Sequence, residues 1–353
     1  MLSLVTEDAG ERSQISTWRS VGSMIGNMLP MVILPMLIWR KEVDADGNPI
    51  INPETGVQVE TLLGERVFWV ALIMGALGFI AFMFMIRKIT IRVDENSVKT
   101  NEGGEKFNVF KAFGNFMKNR AAIGATLAAM AMFLGMNSAT TATTIMFATY
   151  FGQASMSGIA SLVGFLPMFI FMPFIKNIVG KWGKKEGSVA GSVVSLLGGL
   201  LMFVFPMIEN KTVALIMYIV ALSIFGIGMG IYTCVSWALM ADAIDYNEWK
   251  TGKREEGTVY SLHSFFRKLA QGVGPSIVLL LMGALGYISE LGTEGQSLAT
   301  ASNMCWLVAG LYMFSALLQF ISLAFVYNLD KKTLEKMNAD LAARKADNAS
   351  IEE

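Results

Sequence analysis

The sequence predicts an all-α protein that crosses a membrane about eight times. Hydrophobic residues make up 54% of its 353 residues and charged residues only 16%, whereas soluble domains carry about 25% charged residues. Long apolar runs recur between positions 18 and 327. Open sheets cannot span lipid, and the alternation typical of a membrane barrel is absent, so each run is predicted as a helix.

Eight apolar runs account for the predicted helices. Each is close to, or longer than, the roughly 20 residues that a helix needs to cross the hydrocarbon layer. Their predicted bounds are 18–39, 67–86, 121–150, 159–175, 187–205, 213–240, 258–285 and 304–327.

The loops differ in charge, and this difference predicts the orientation. Lysines and arginines concentrate in the loops 87–120, 176–185 and 250–254 and in the tail, whereas the loops 41–66 and 287–303 are poor in cations and their charged residues are mainly acidic. Because cations stay on the cytosolic side, both termini are predicted to be cytosolic, in a multi-pass protein of the inner (plasma) membrane.

The longest cytosolic loop divides the chain. Within 87–120, the aromatic stretch 107–117 has basic flanks and is typical of an interfacial helix. The predicted parts are two helices in 1–86, the central loop 87–120, a six-helix set in 121–327 and a cytosolic tail in 328–353.

The seventh predicted helix has one polar face. At 100° per residue, six side chains fall within an arc of roughly 140°: Tyr260, His263, Ser264, Arg267, Lys268 and Gln271. An ionisable residue inside a spanning helix usually faces a cavity. We therefore expect Lys268 to face a wet path, and Arg267 to extend its charge to the headgroups.

Two further helices carry polar faces. Arg19, Ser23 and Asn27 follow one another at intervals of four residues on the first predicted helix. On the third, Asn137 shares a face with three threonines, which commonly bond their own helix carbonyls: Thr140, Thr141 and Thr144. Small polar side chains also join neighbouring membrane helices, so packing roles stay open for these faces.

The stretch 242–287 carries a resemblance to a known family. Its ordered motifs are Asp242-x-x-Asp245-Tyr246, Gly252-x-Arg254-x-x-Gly257, Ser264, Lys268 and Gly286-Tyr287. They resemble the region of helices 10 and 11 in the glycoside–pentoside–hexuronide:cation symporters of the major facilitator superfamily. Such proteins have twelve helices, so the resemblance implies that this chain corresponds to helices 5–12 and lacks the first four.

The resemblance also implies roles for individual residues. Arg19, His263, Ser264 and Lys268 match sugar-facing positions, although His263 replaces an amide often found there. Asn137 is added as a substrate-binding candidate from its polar face. Arg12 matches a cation that pairs with carboxylates of helix 10, here Asp242 and Asp245, and Arg254 belongs to the same gating group. The family's Na⁺ or H⁺ site uses helices 2 and 4 and is expected outside this chain.

The predicted function is symport of a sugar or glycoside with Na⁺ or H⁺ by alternating access. A lipid or amphiphile transporter on the same scaffold and a non-transporting truncated remnant remain alternatives. We expect no enzyme activity, cofactor, metal site or nucleic-acid partner, because no cluster of catalytic or ligating residues is found. The expected partners are the small-molecule substrate, a monovalent cation and membrane lipid.

Overall fold

In the computed structural model, seven helices within the described residues are long and apolar enough to cross a membrane. The structure describes residues 22, 26–27, 30, 32–51, 53, 56, 58–89, 109–252, 256–293 and 295–352. The seven helices correspond to the second to eighth predicted segments, which confirms the all-α polytopic fold. The first predicted segment lies mostly outside the described residues, and its part 32–38 is helical.

A short hairpin precedes the first of these helices, and ten α-helices follow it within the described residues. The strands β1 (Trp39–Lys41) and β2 (Glu60–Leu62) pair antiparallel. The helices are α1 (Gly64–Lys88), α2 (Val109–Lys118), α3 (Arg120–Ala131), α4 (Ser138–Met146), α5 (Ser157–Trp182), α6 (Lys184–Met202), α7 (Lys211–Thr251), α8 (Glu256–Ala284), α9 (Leu298–Ile321) and α10 (Lys331–Glu352).

Three π-helical turns lengthen these helices. Met132–Asn137 joins α3 to α4, Phe147–Phe151 continues α4, and Ser322–Val326 continues α9. Residues 120–151 therefore form one spanning element. Single π-helical turns inside α-helices often lie at functional sites, and Met132–Asn137 contributes to the cavity described below.

Side chains from α3 to α9 form the core, whereas α1 has no buried residue. Aromatic rings fill much of it. Phe225 packs edge-on against Tyr312 with ring centroids 4.9 Å apart, and Phe205 packs against Tyr218 at 5.4 Å. Such pairs contribute about 0.5–1.5 kcal/mol beyond the area that they bury. They join α7 to α9 and to the 3-10 turn that follows α6.

The helix α7 is longer than the sequence predicted. Its 41 residues span about 61 Å at 1.5 Å per residue, twice the hydrocarbon thickness of about 30 Å. The charged stretch from Asp242 to Thr251 was expected to be a loop and is helical instead. The helix ends only at Gly252, whose φ of +71° favours glycine, because no glycine or proline interrupts the charged residues before it.

Two helices pack against the end that the sequence assigns to the cytosol. The predicted interfacial helix is present as α2, where buried Phe116 stacks on Phe266 of α8 at 6.3 Å. The tail helix α10 contacts the end of α7: the Trp249 indole N–H donates to Asp340 (3.0 Å), and Arg344 donates to the Trp249 carbonyl (3.1 Å).

The hairpin lies at the opposite end of the bundle. Its turn is closed by Asp44, which accepts hydrogen bonds from the backbone of Asp46 and Asn48. The bonds from Asn48 hold the pKa of the Asp44 carboxyl below its usual value. Trp39 of β1 is buried with Ala148 and Ala154 of the bundle.

Glu60 of β2 ties the hairpin to two loops of the bundle. Only 1% of Glu60 is exposed. Its carboxylate accepts hydrogen bonds from the backbone N–H (3.0 Å) and the hydroxyl (2.9 Å) of Ser155, and its backbone carbonyl accepts one from Thr293 (3.0 Å).

Candidate functional site

His263 anchors the polar face of α8 to α3. The helix places it two turns after Glu256, and only 3% of the residue is exposed. Its Nδ1 lies 2.9 Å from the hydroxyl of Thr126 on α3, and its ring meets the Trp237 ring of α7 edge-on at 6.0 Å. These contacts join three helices at one point.

Arg267 lies one turn deeper on α8, between two aromatic rings. Its guanidinium carbon is 4.9 Å from the ring centre of Trp237 on α7 and 5.2 Å from that of Phe133 on the π-helical turn after α3. A cation over an aromatic face gains about 0.5–2 kcal/mol. The sequence predicted that Arg267 would extend to the headgroups. Instead, the structure directs it into the bundle, because aromatic faces stabilise the cation there.

These side chains border a cavity of about 140 Å³, which we call the Arg267 cavity. Its remaining lining comes from α3, the following π-helical turn and α7. The lining residues are Ala129, Met132, Phe133, Tyr232, Thr233, Ser236, Trp237, His263 and Arg267. None of them is acidic, so the cavity has a cation but no counter-charge of its own.

Three other predicted substrate residues lie outside this cavity. Lys268 is exposed, and Ser264 is half-buried beside it. Asn137 is half-buried on the π-helical turn and does not line the cavity. Of the three threonines beside it, Thr140 bonds the Met136 carbonyl at 3.0 Å, as expected. Arg19 lies outside the described residues.

Among the predicted gating residues, Asp242 has a partner that the sequence did not suggest. The Lys184 ammonium at the start of α6 contacts both carboxylate oxygens, at 2.7 and 2.8 Å. The Lys184 side chain is 31% exposed and that of Asp242 11%. Asp245 lies one turn further along α7 and is half-buried. Arg12 and Arg254 lie outside the described residues.

Three features of the structure were not predicted from the sequence. They are the contact of the Trp237 ring with Arg267, the pairing of Lys184 with Asp242, and the hairpin that contains Glu60. The hairpin had a usable signal, since Asp46-Gly47 between short polar strands is typical of a tight turn. For the other two, the partners are far apart in the sequence and only the packing brings them together.

Comparison with known proteins gives a consistent result. Residues 1–331 match the family described as MFS/sugar transport protein, which is a family of transporters and not of enzymes. The chain is 27% identical over 340 residues to an uncharacterised symporter, YjmB, of Bacillus subtilis (96% of this chain, 66% of the relative). It is 26% identical over 353 residues to an isoprimeverose transporter of Lactiplantibacillus pentosus (98% and 66%).

A third relative matches a shorter part more closely. The chain is 36% identical over 163 residues to a glucuronide carrier protein homolog of Escherichia coli, which covers 46% of this chain and 34% of that protein. The chain spans about two thirds of the length of the relatives that it matches throughout.

Proposed function

Because this chain belongs to the MFS/sugar transport protein family, we propose that it moves a sugar or glycoside across the membrane together with Na⁺ or H⁺. Membership agrees with the resemblance carried by the stretch 242–287, and relatives named for isoprimeverose and glucuronide transport support a sugar as the substrate. The protein crosses the membrane several times, and alternating access around a central site is the mechanism of this architecture.

The observation that carries the proposal is the Arg267 cavity. A cation, a histidine and three hydroxyl side chains meet within membrane-spanning helices, where polar groups are costly and mark substrate or ion paths. A sugar presents polar groups that such side chains can bind. We place Lys268, Ser264, His263 and Arg19 in the sugar site, with Asn137 on its edge.

The orientation and the gate belong to the same proposal. The protein lies in the plasma membrane with both termini in the cytosol. The end of α7 and the tail helix α10 are therefore cytosolic. There, Arg12 and Arg254 exchange with Lys184 as partners of Asp242 and Asp245 when the transporter changes conformation. Opposite charges at helix ends make a contact that breaks readily when water enters.

Uptake by the full-length protein in proteoliposomes tests the function. We expect a labelled sugar to accumulate under an inward Na⁺ or H⁺ gradient and the accumulation to cease when an ionophore collapses that gradient. Lys268→Ala should abolish accumulation at normal expression because it removes a donor from the site. Lys332→Ala, an exposed lysine of α10, is the matched control. Normal uptake by Lys268→Ala would remove Lys268 from the site, and gradient-independent uptake would refute the coupling.

A further inference from the structure

Arg267 lies between two aromatic rings with the hydrogen-bonding edge of its guanidinium unused. The centres of the Phe133 and Trp237 rings lie 5.2 and 4.9 Å from the guanidinium carbon, and a guanidinium carries five N–H donors around its edge. Within the part of the chain that the structure describes, none of these N–H groups has an acceptor and no carboxylate lines the cavity. Arg267 is half-buried on a helix long and apolar enough to cross the membrane, where an unpaired cation is costly.

None of the hydrogen bonds that the neighbouring polar side chains make goes to Arg267. The hydroxyl of Thr233 donates to the Met229 carbonyl at 2.9 Å, and that of Ser236 donates to the Thr233 carbonyl at 3.2 Å. His263 uses its Nδ1 on Thr126. The cavity therefore has a ready cation and a place for an anion beside it.

We propose that Arg267 binds an acidic group of the transported sugar and so selects substrates that carry a carboxylate or sulfonate. This inference rests on the proposed sugar transport. A guanidinium edge matches two oxygens of such a group, and charge-assisted pairs of this kind are among the strongest hydrogen bonds. The rings preorganise the guanidinium, so little side-chain freedom is lost when the anion binds.

The size of the cavity fits this role. Pockets that enclose a whole small ligand measure about 300–1,000 Å³, whereas the Arg267 cavity measures about 140 Å³. It accepts a functional group and leaves the sugar ring outside. Ser264 and Lys268, on the neighbouring side of α8, remain available to the ring hydroxyls.

A pair of probes that differ only in the acidic group tests the proposal. Methyl β-D-glucuronide and methyl β-D-glucoside compete for uptake in proteoliposomes that contain the full-length protein. We expect the acidic probe to bind at least about tenfold more tightly, and Arg267→Gln to weaken its binding about ten- to a hundredfold while changing that of the neutral probe less than about twofold. Arg120→Gln, which removes an exposed guanidinium outside the cavity, should change neither.

A second variant and a spectroscopic measurement distinguish a loss of binding in Arg267→Gln from misfolding of that variant. Arg267→Lys keeps the charge but loses the planar fork, so it should fall between wild type and Arg267→Gln. Because Trp237 lies against Arg267, the acidic probe should change tryptophan fluorescence and the neutral probe should not. Trp237→Phe, which retains an aromatic ring, should remove the change.

The outcomes separate this inference from the function on which it rests. Equal loss of both probes in Arg267→Gln, or a wild type that takes up only the neutral probe, overturns the role of Arg267 and leaves sugar transport standing. A wild type that takes up neither probe under either cation gradient overturns both for this sugar class.

Discussion

A methyl group added to Gly228 should separate two helices of the bundle. The helices α6 and α7 meet through glycines, and a Cβ at Gly228 would lie 2.3 Å from the Gly191 carbonyl oxygen and 2.5 Å from the Ser195 nitrogen. These are backbone atoms, which cannot turn aside. Restoring a separation of about 3.3 Å requires the helices to part by about 1 Å, since overpacked cores relax by backbone shifts.

The magnitude follows from what that movement disrupts. Overpacking costs about 1–3 kcal/mol, and the hydrogen bond from Ser195 to the Phe225 carbonyl (3.0 Å) would lengthen beyond bonding range, at about 1 kcal/mol. Alanine gains about 1 kcal/mol over glycine in a helix. Gly228→Ala should therefore destabilise the protein by about 1–3 kcal/mol.

Gly230, half a turn along the same helix, provides the control. A Cβ there would first meet the Met168 side chain, at 3.0 Å, and methionine adapts readily. Unfolding of both variants in mixed detergent micelles, followed by circular dichroism, measures the difference. If Gly228→Ala proves as stable as Gly230→Ala, the close approach of α6 and α7 is wrong.

Two further predictions concern the proposed gate and the proposed orientation. The free energies of unfolding of Lys184→Met, Asp242→Asn and the double variant should show a coupling energy of about 1–2 kcal/mol, because the two side chains are close but partly exposed. Additive effects on stability would show that the two side chains do not interact. A second double-mutant cycle, in which transport activity is measured for Arg12→Gln, Asp242→Asn and the double variant, tests whether Asp242 also pairs with Arg12. Additive effects on transport would exclude Arg12 as a partner of Asp242. For the orientation, a cysteine at Asn48 should react with an impermeant maleimide on intact cells and one at Lys185 only after permeabilisation, both in a variant without Cys234 and Cys305. The reverse labelling pattern would show that the orientation is opposite to the one proposed.

Hydropathy predicted the spanning helices well because length and apolarity alone decide whether a segment crosses a bilayer. It predicted their ends less well. The apolar run of α7 ends near Met240, but no glycine or proline follows before Gly252, so the helix continues to Thr251. Charge marks where a segment leaves the lipid, and it does not mark where the helix stops.

The candidate site shows a second limit. A helical wheel places Arg267 and Lys268 in one polar arc, although they are 100° apart. That difference directs Arg267 between α3 and α7 and leaves Lys268 exposed. Which of two adjacent cations enters a cavity depends on the neighbouring helices, and the rings of Phe133 and Trp237 come from positions far away in the sequence. Periodicity within one helix does not contain that information.

The buried Glu60 gives the hairpin a reversible attachment. Where the hairpin meets the bundle, the carboxylate exchanges water for two donors of Ser155, and water replaces those donors when the contact opens. Each such bond contributes about 1.5–3 kcal/mol net, which is similar to the free energy that a ligand supplies when it binds one conformation about ten- to a hundredfold more tightly than another. Because Glu60 accepts both Ser155 bonds and its backbone carbonyl accepts a third from Thr293, the hairpin stays on the bundle unless a change of conformation supplies more free energy than one such preference.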